Sequence, residues 1–265
     1  MSELWALIYG VIQGVSEFLP VSSSGHLALL PRLFHFKDPG VIFDLVMHLG
    51  TAFAVIIYYR KDLAKLLGEG CEIIKYRSLK RGMFFQNFSL ATVFSFIFIL
   101  LIKDLALSFG RSEVLIGGNL IFFGILMYLS DLKNQSSESL VREKNYKKSI
   151  IIGISQSLAI FPGVSRSGIT LTSSRFLRLS RLEASRFSFL LSLPIILASI
   201  VYKLPAIYSG EAIQTSPIII IIGIFSSFIF GIITIHFFIK LISRMGLWGF
   251  TLYRVLLGIL VIYLS

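Results

Sequence analysis

Two short polar segments interrupt apolar stretches of the sequence and contain most of its chemically reactive side chains. The first covers residues 19–25, LPVSSSG, between Glu17 and His26. The second covers residues 162–168, PGVSRSG, and includes Arg166. An ionisable group at membrane depth is costly and therefore indicates function. Together the two segments offer a carboxylate, an imidazole, a guanidinium and several hydroxyls.

These groups are the ones that phosphoryl transfer needs. A serine run beside glycine presents hydroxyls and backbone N–H groups that bind anions, and arginine binds phosphate through paired N–H groups. Glu17 follows Gln13 by one helical turn, so both side chains project from one face. Glu17 could bind a divalent cation, act as a general base, or only pair with an arginine to join two helices. The apolar surroundings indicate a lipid-linked phosphate as the substrate.

The elements that position these segments are predicted to be membrane-spanning helices. Of the 265 residues, 55% are hydrophobic and 15% are charged. The mean hydropathy of +0.83 excludes a disordered chain and argues against a water-soluble domain. We therefore predict an all-α polytopic membrane protein with a single integral membrane domain, residues 1–265. Six full spans are predicted at 42–60, 85–102, 113–131, 186–203, 218–238 and 246–264.

The two remaining apolar regions, 4–34 and 149–177, carry the polar segments in their middle. Because proline, glycine and serine interrupt a helix, and irregular backbone cannot face lipid, each region is predicted as a re-entrant helix–loop–helix. A pair of kinked spanning helices is the alternative.

The two broken regions are also copies of each other. At an offset of 143 residues, identities pair Gly10, Gln13, Phe18, Val21, Ser22, Ser24 and Gly25 with Gly153, Gln156, Phe161, Val164, Ser165, Ser167 and Gly168. We therefore predict two repeats, about 1–131 and about 149–265, joined by a cytoplasmic loop at about 132–148. Each repeat has three spans, an odd number, so the second enters from the opposite side. Such an inverted-topology repeat is expected to form its site near the membrane midplane.

Basic residues are concentrated on one side of the predicted spans. The segments 60–83, 131–148, 175–186 and 239–245 hold 18 lysines and arginines, against five on the other side. By the positive-inside rule the first side is cytoplasmic, and the net charge of +11 is a topology signal rather than a nucleic-acid footprint. The orientation changes if the first broken region spans the membrane. The single cysteine, Cys71, excludes a disulfide within the chain.

The polar motifs resemble those of the bacterial undecaprenyl pyrophosphate phosphatases associated with bacitracin resistance. The similarity lies in QGVSEFLPVSSSGH at 13–26 and PGVSRSGIT at 162–170, and it extends to length and hydropathy over essentially the whole chain. The resemblance implies hydrolysis of a C55 isoprenyl diphosphate to the monophosphate, which recycles the carrier lipid for peptidoglycan synthesis. It also implies a multi-pass protein of the bacterial plasma (inner) membrane whose site faces the outer leaflet. Bacitracin would act through the substrate, and a homodimer is allowed.

Site residues follow from the same resemblance. It implies that Glu17, His26, Ser23 and Arg166 are catalytic. The residues expected to bind the phosphates beside Arg166 are Ser22, Ser24, Ser165, Ser167 and Thr170. A divalent cation, Mg²⁺ or Ca²⁺, is expected at Glu17 and Gln13, although many family members have glutamate at the latter position. The nucleophile stays open between Ser23, His26 and water.

Other polar residues of the apolar segments are weaker candidates. Asp44 and His48 lie one turn apart at the start of a span and could border the site. Arg254 could pair with a buried acid, extend to the interface or touch substrate. His35 and His236 are predicted as interfacial or packing residues.

A lipid-phosphate flippase or transporter is the alternative function, since inverted repeats with broken helices are also a carrier architecture. The pair of Glu17 and His26 favours hydrolysis, because transport of an anion does not require it.

Overall fold

The chain forms an all-helical bundle in a computed structural model. The residues described are 2–34, 39–79, 81–109, 112–132, 140, 143–208 and 216–265. They contain the helices α1 (Glu3–Ser16), α2 (Ser23–Leu33), α3 (Val41–Tyr58), α4 (Arg60–Tyr76), α5 (Met83–Phe109), α6 (Glu113–Asp131), α7 (Tyr146–Ser157), α8 (Arg166–Phe176), α9 (Arg181–Tyr208), α10 (Pro217–Met245) and α11 (Trp248–Tyr263). His35 and most of the predicted loop 132–148 lie outside the described residues.

The predicted multi-pass architecture is confirmed. Helices α5, α6, α9 and α10 are long and apolar enough to cross a membrane, and shorter apolar helices coincide with the predicted spans 42–60 and 246–264. Several helices extend beyond the predicted spans, and α5 continues to Phe109. An apolar run marks only the hydrocarbon-facing part of a helix, because backbone hydrogen bonding continues beyond the bilayer core.

Helix α4 lies within the segment 60–83, which the sequence predicted only as part of the basic, cytoplasmic side. Its residues are mostly strong helix formers such as leucine, lysine and glutamate. The helix ends at Tyr76, and the next residue, Arg77, has a left-handed φ of +47°. The charge distribution predicted a side of the membrane for this segment but gave no indication of the helix.

Both apolar regions with polar centres are broken helices, as predicted. The breaks between α1 and α2 and between α7 and α8 contain serines with positive φ, +73° at Ser22 and +70° at Ser165. The hydroxyl of Ser22 lies 3.2 Å from that of Ser24, and the hydroxyl of Ser165 lies 3.3 Å from that of Ser167. Such backbone costs about 1–3 kcal/mol per residue and is typical of functional sites. The matching geometry is compatible with the predicted inverted repeat.

Each broken helix packs against a long helix from the other half of the sequence. Helix α1 lies against α10, and α7 lies against α5. Small residues permit the close approach: a Cβ at Gly14 would be 2.6 Å from the carbonyl oxygen of Ser227, and one at Gly153 would overlap the carbonyl oxygen of Ala91. The two halves therefore interlock, and this brings the two breaks together.

Candidate active site

The carboxylate of Glu17 is the centre of a buried polar cluster. Glu17 lies in the turn directly after α1 and is 6% exposed. Its Oε1 accepts a hydrogen bond from Nη2 of Arg166 at 2.6 Å. Its Oε2 accepts from Nε2 of Gln13 at 2.9 Å and from Oγ of Ser23 at 2.7 Å. Nε2 of His48 lies 3.3 Å from the same oxygen. Both oxygens are thus bonded, and two of the donors come from basic side chains.

The breaks in the helices determine this arrangement. Ser23 is the first residue of α2 and Arg166 is the first residue of α8, so each side chain projects from a helix N-terminus. The N-terminal end of a helix carries partial positive charge and unpaired N–H groups. Because Ser167 Oγ donates to the carbonyl of Leu19 at 3.2 Å, the two breaks are in direct contact. The Glu17 carboxylate therefore lies where two helix N-termini meet.

His48 on α3 completes the cluster. From the sequence it was predicted only as a residue that could border the site. Its Nδ1 lies 2.7 Å from the carbonyl oxygen of Asp44, one turn earlier, so Nδ1 must donate. Its Nε2 faces the Glu17 carboxylate, so the imidazole forms an ion pair with Glu17 when both groups are charged. The signal that identified His48 was a polar pair at helical spacing within an apolar helix.

Two buried polar atoms of the cluster have no hydrogen-bond partner among the residues that the structure describes. They are Oε1 of Gln13, an acceptor, and Nη1 of Arg166, a donor. An unsatisfied buried polar group costs about 1–3 kcal/mol, so such atoms are rare without a functional reason. The cluster therefore offers one free donor and one free acceptor to a ligand.

His26 points towards α11 rather than towards Glu17. Its Nδ1 lies 2.7 Å from the carbonyl oxygen of Ser22, and its Nε2 lies 2.6 Å from the hydroxyl of Tyr253. Of the predicted catalytic residues, the structure thus brings Glu17, Ser23 and Arg166 into hydrogen-bond contact and places His26 beside them, one turn into α2. Tyr253 carried no signal in the sequence beyond its place in an apolar helix.

The hydroxyls of the second break are engaged with the protein. Ser165 accepts a hydrogen bond from the N–H of Gly168 at 3.1 Å and so caps α8. Thr170 Oγ1 donates to the carbonyl of Arg166 at 2.8 Å and lies 2.5 Å from the hydroxyl of Ser188. These contacts fix the start of α8, which carries the guanidinium.

Arg254 is fully buried and binds both breaks, a role that differs from each of the alternatives drawn from the sequence. Its Nη1 donates to the carbonyl of Pro20 at 3.3 Å, and its Nη2 donates to those of Gly163 and Val164, each at 3.0 Å. Its Nε donates to the carbonyl of Leu120 at 3.1 Å. Pro20 and Gly163 are equivalent positions of the two predicted repeats, 143 residues apart. The guanidinium therefore joins the two breaks through backbone dipoles.

Comparisons with known proteins agree on one family. Residues 6–260 match the family model described as "Bacitracin resistance protein BacA". A protein named undecaprenyl-diphosphatase from Pelotomaculum thermopropionicum is 39% identical over 265 residues, 100% of this chain and 97% of the relative. One of the same name from Idiomarina loihiensis is 37% identical over 265 residues, covering 100% and 99%. A third, from Marinobacter nauticus, is 36% identical over 262 residues, covering 97% of both.

Proposed function

The chain belongs to the family of the bacitracin resistance protein BacA, and we propose that the Glu17 cluster is the site at which it works as an undecaprenyl-diphosphatase. The reaction hydrolyses undecaprenyl diphosphate to undecaprenyl phosphate and inorganic phosphate. The observation that carries the assignment of the site is the buried, unpartnered Nη1 of Arg166. A donor of this kind fits a pocket whose acceptor arrives with the substrate, and phosphate oxygens are suitable acceptors.

Substrate binding would change the bonding of the carboxylate. A diphosphate that accepts from both guanidinium nitrogens of Arg166 competes with Glu17, which holds Nη2 in its absence. The N-terminal end of α8 carries partial positive charge, which favours an anion there. Binding would thus release Oε1 of Glu17 while Ser23 stays bonded to Oε2. Oε1 would then be available to another ligand, while Oε2 would stay placed to accept the proton of Ser23.

The contact between Ser23 and Glu17 supports serine as the nucleophile. Ser23 Oγ attacks the terminal phosphorus and passes its proton to Glu17, while the bond from that phosphorus to the bridging oxygen breaks and the lipid monophosphate leaves. Water then attacks the phosphoserine, both of its protons stay on the released phosphate, and Ser23 regains its proton from Glu17. Arg166 and His48 offset the charge on the phosphoryl oxygens. A phosphohistidine at His26 and direct attack by water are the alternatives.

A divalent cation, Mg²⁺ or Ca²⁺, is proposed to bind together with the diphosphate. The chain offers two oxygen ligands, Oε1 of Gln13, which has no partner in the described part of the chain, and Oε1 of Glu17 once Arg166 turns to phosphate. Oxygen donors are the ligands that these cations prefer. The bound cation would neutralise phosphate oxygens. Calorimetry with a non-hydrolysable thiodiphosphate should detect cation binding only when the analogue is present, and strong binding of the cation alone would contradict the proposal.

We propose that the protein lies in the bacterial plasma membrane with its site open to the outer leaflet. The distribution of lysine and arginine supports this orientation. Cys71, exposed on α4, is then cytoplasmic. A membrane-impermeant maleimide should label it in disrupted cells and leave it unlabelled in intact cells; labelling in intact cells would reverse the orientation.

Two further proposals concern partners. Bacitracin is expected to act by binding the lipid diphosphate and so withholding it from the site, so adding excess substrate should restore turnover.

A homodimer is also proposed, and the mass of the protein in detergent, corrected for bound detergent, tests it.

Phosphate release by the purified protein in detergent tests the function. Wild-type protein should release phosphate from undecaprenyl diphosphate, and Arg166→Ala should lose this activity because the phosphate loses its bidentate donor. Arg60→Ala, a change at the exposed start of α4, is the matched control. Binding without release by wild-type protein would favour the transporter instead.

A further inference from the structure

Tyr253 on α11 contacts His26 through both its hydroxyl and its ring. The hydroxyl lies 2.6 Å from Nε2 of the imidazole. The two rings are nearly parallel, with an interplanar angle of 2° and centroids 5.6 Å apart. Tyr253 is 44% exposed, so it lies at the rim of the polar cluster rather than in the packed interior.

The partners of His26 determine which of its nitrogens carries the proton. A carbonyl oxygen can only accept, so Nδ1 donates a hydrogen bond to the carbonyl oxygen of Ser22, 2.7 Å away. In the neutral ring Nε2 is then the basic atom, and the hydroxyl of Tyr253 donates a hydrogen bond to it. A hydroxyl can also accept a hydrogen bond from a charged imidazolium. The same contact therefore supports His26 in both of its protonation states.

The neighbouring residue holds Tyr253 in place. Arg254 binds the carbonyls of Pro20 and Gly163 in the two breaks, and this fixes α11 against them. Because consecutive residues of a helix project in different directions, Arg254 binds the loops while Tyr253 reaches His26 on α2. The position of the hydroxyl is thus tied to the same loops that carry Ser23 and Arg166.

We propose that Tyr253 is a positioning residue for His26: its hydroxyl and ring hold the imidazole in one orientation at the start of α2, beside Ser23, with the ring proton on Nδ1. The proposal rests on the proposed function. It adds a residue from α11, more than 200 positions away in sequence, to a site otherwise built from the two broken helices and α3. A functional histidine is commonly oriented by a hydrogen bond to one ring nitrogen. In His26 both ring nitrogens have such a partner, Ser22 and Tyr253.

The variant Tyr253→Phe tests the proposal because it keeps the ring and removes only the hydroxyl. We expect kcat for phosphate release to fall about tenfold while KM changes less than about twofold, since the hydroxyl orients His26 and is not proposed to touch substrate. Tyr263→Phe, at an 84% exposed tyrosine of the same helix, is the matched control and should behave as wild type.

A second measurement reports on His26 without relying on activity. Diethyl pyrocarbonate modifies the unprotonated nitrogen of histidine, and mass spectrometry locates the product. In Tyr253→Phe the modification of His26 should become severalfold faster, because Nε2 no longer has the hydroxyl of Tyr253 as a hydrogen-bond partner. The rate of modification of His236 should stay constant. Unchanged kcat, or reduced kcat with unchanged modification of His26, would overturn the proposal. If wild-type protein releases no phosphate, the proposed function fails, and the modification rates still decide whether Tyr253 controls Nε2 of His26.

Discussion

Ser23 and Arg166 each donate a hydrogen bond to a different oxygen of Glu17. The serine hydroxyl lies 2.7 Å from Oε2, and Nη2 of the arginine lies 2.6 Å from Oε1. The two residues are 143 positions apart, the offset of the predicted repeats, and each is the first residue of a helix that follows a break. Their side chains have different chemistry, which makes the site asymmetric: one break contributes a hydroxyl and the other a fixed positive charge.

Replacing Glu17 with glutamine should separate the two roles of the carboxylate. Glu17→Gln keeps the size of the side chain and removes its charge, so we expect phosphate release to fall at least about 100-fold with the loss of the base. Arg166 would lose its counter-charge and become more available to anions. Inorganic phosphate should therefore raise the melting temperature of Glu17→Gln more than that of wild-type protein.

Glu72→Gln on the exposed face of α4 is the control for that change, because Glu72 is half-exposed and lies 3.6 Å from Arg81, away from the cluster. An equal phosphate effect on wild-type protein and Glu17→Gln would mean that Glu17 does not compete with phosphate for the guanidinium.

The nucleophile can be identified by comparing two serines on either side of Glu17. Ser23→Ala removes the hydroxyl that donates to Glu17, and we expect turnover to fall at least about 100-fold with loss of any trapped phosphoenzyme. Ser16→Ala is the matched control, because the hydroxyl of Ser16 donates to the carbonyl oxygen of Ile12, at 2.6 Å, and not to Glu17. Near-normal turnover by Ser23→Ala would exclude serine as the nucleophile and favour His26 or water.

The sequence identified the polar side chains that each broken helix brings to the site, but not which other helices pack against them. The breaks in the helices, Glu17 and Arg166 follow from proline, glycine and charge within apolar runs, because these depend on local chain physics. His48 and Tyr253 entered the cluster from α3 and α11 only when the helices packed. The periodicity of a helix gives the face on which a residue lies, and it carries no information on which distant helix covers that face. Tyr253 was missed for this reason, and His48 was predicted only as a residue that could border the site.

His48 is expected to tune the carboxylate through charge more than through contact. Glutamine can still donate a hydrogen bond towards Glu17 but lacks the positive charge, whereas leucine lacks both. We therefore expect kcat/KM to fall severalfold in His48→Gln and at least about tenfold in His48→Leu. His236→Gln is the control, since His236 lies against the ring of Tyr58, with centroids 6.4 Å apart. Wild-type kinetics in His48→Leu would remove His48 from the site.

Two glycines provide a matched test of how α1 is held. A Cβ at Gly14 would lie 2.6 Å from the carbonyl oxygen of Ser227, whereas one at Gly68 on α4 would meet nothing within 4 Å. Gly14→Ala should therefore lower the free energy of unfolding by about 1–3 kcal/mol and reduce turnover, because α1 must move and Glu17 moves with it. Gly68→Ala should raise the free energy of unfolding by about 0.5–1 kcal/mol, because alanine has a higher helix propensity than glycine. Thermal unfolding in detergent measures both, and equal melting temperatures would contradict the close packing of α1 on α10.

The guanidinium of Arg254 should be required for the two breaks to hold their shape together. Lysine keeps the charge but has three N–H donors on one nitrogen, too few and too closely spaced for the five carbonyls to which the guanidinium donates. We expect Arg254→Lys to lose about 3–5 kcal/mol of stability, in the range seen when a buried charge loses its partners. Amide hydrogen exchange should then rise together in residues 18–24 and 161–168, while α9 stays protected. Arg244→Lys, exposed at the end of α10, should change neither. A rise confined to one break would show that the other is held by its own contacts, and the guanidinium would then not be the element that couples them.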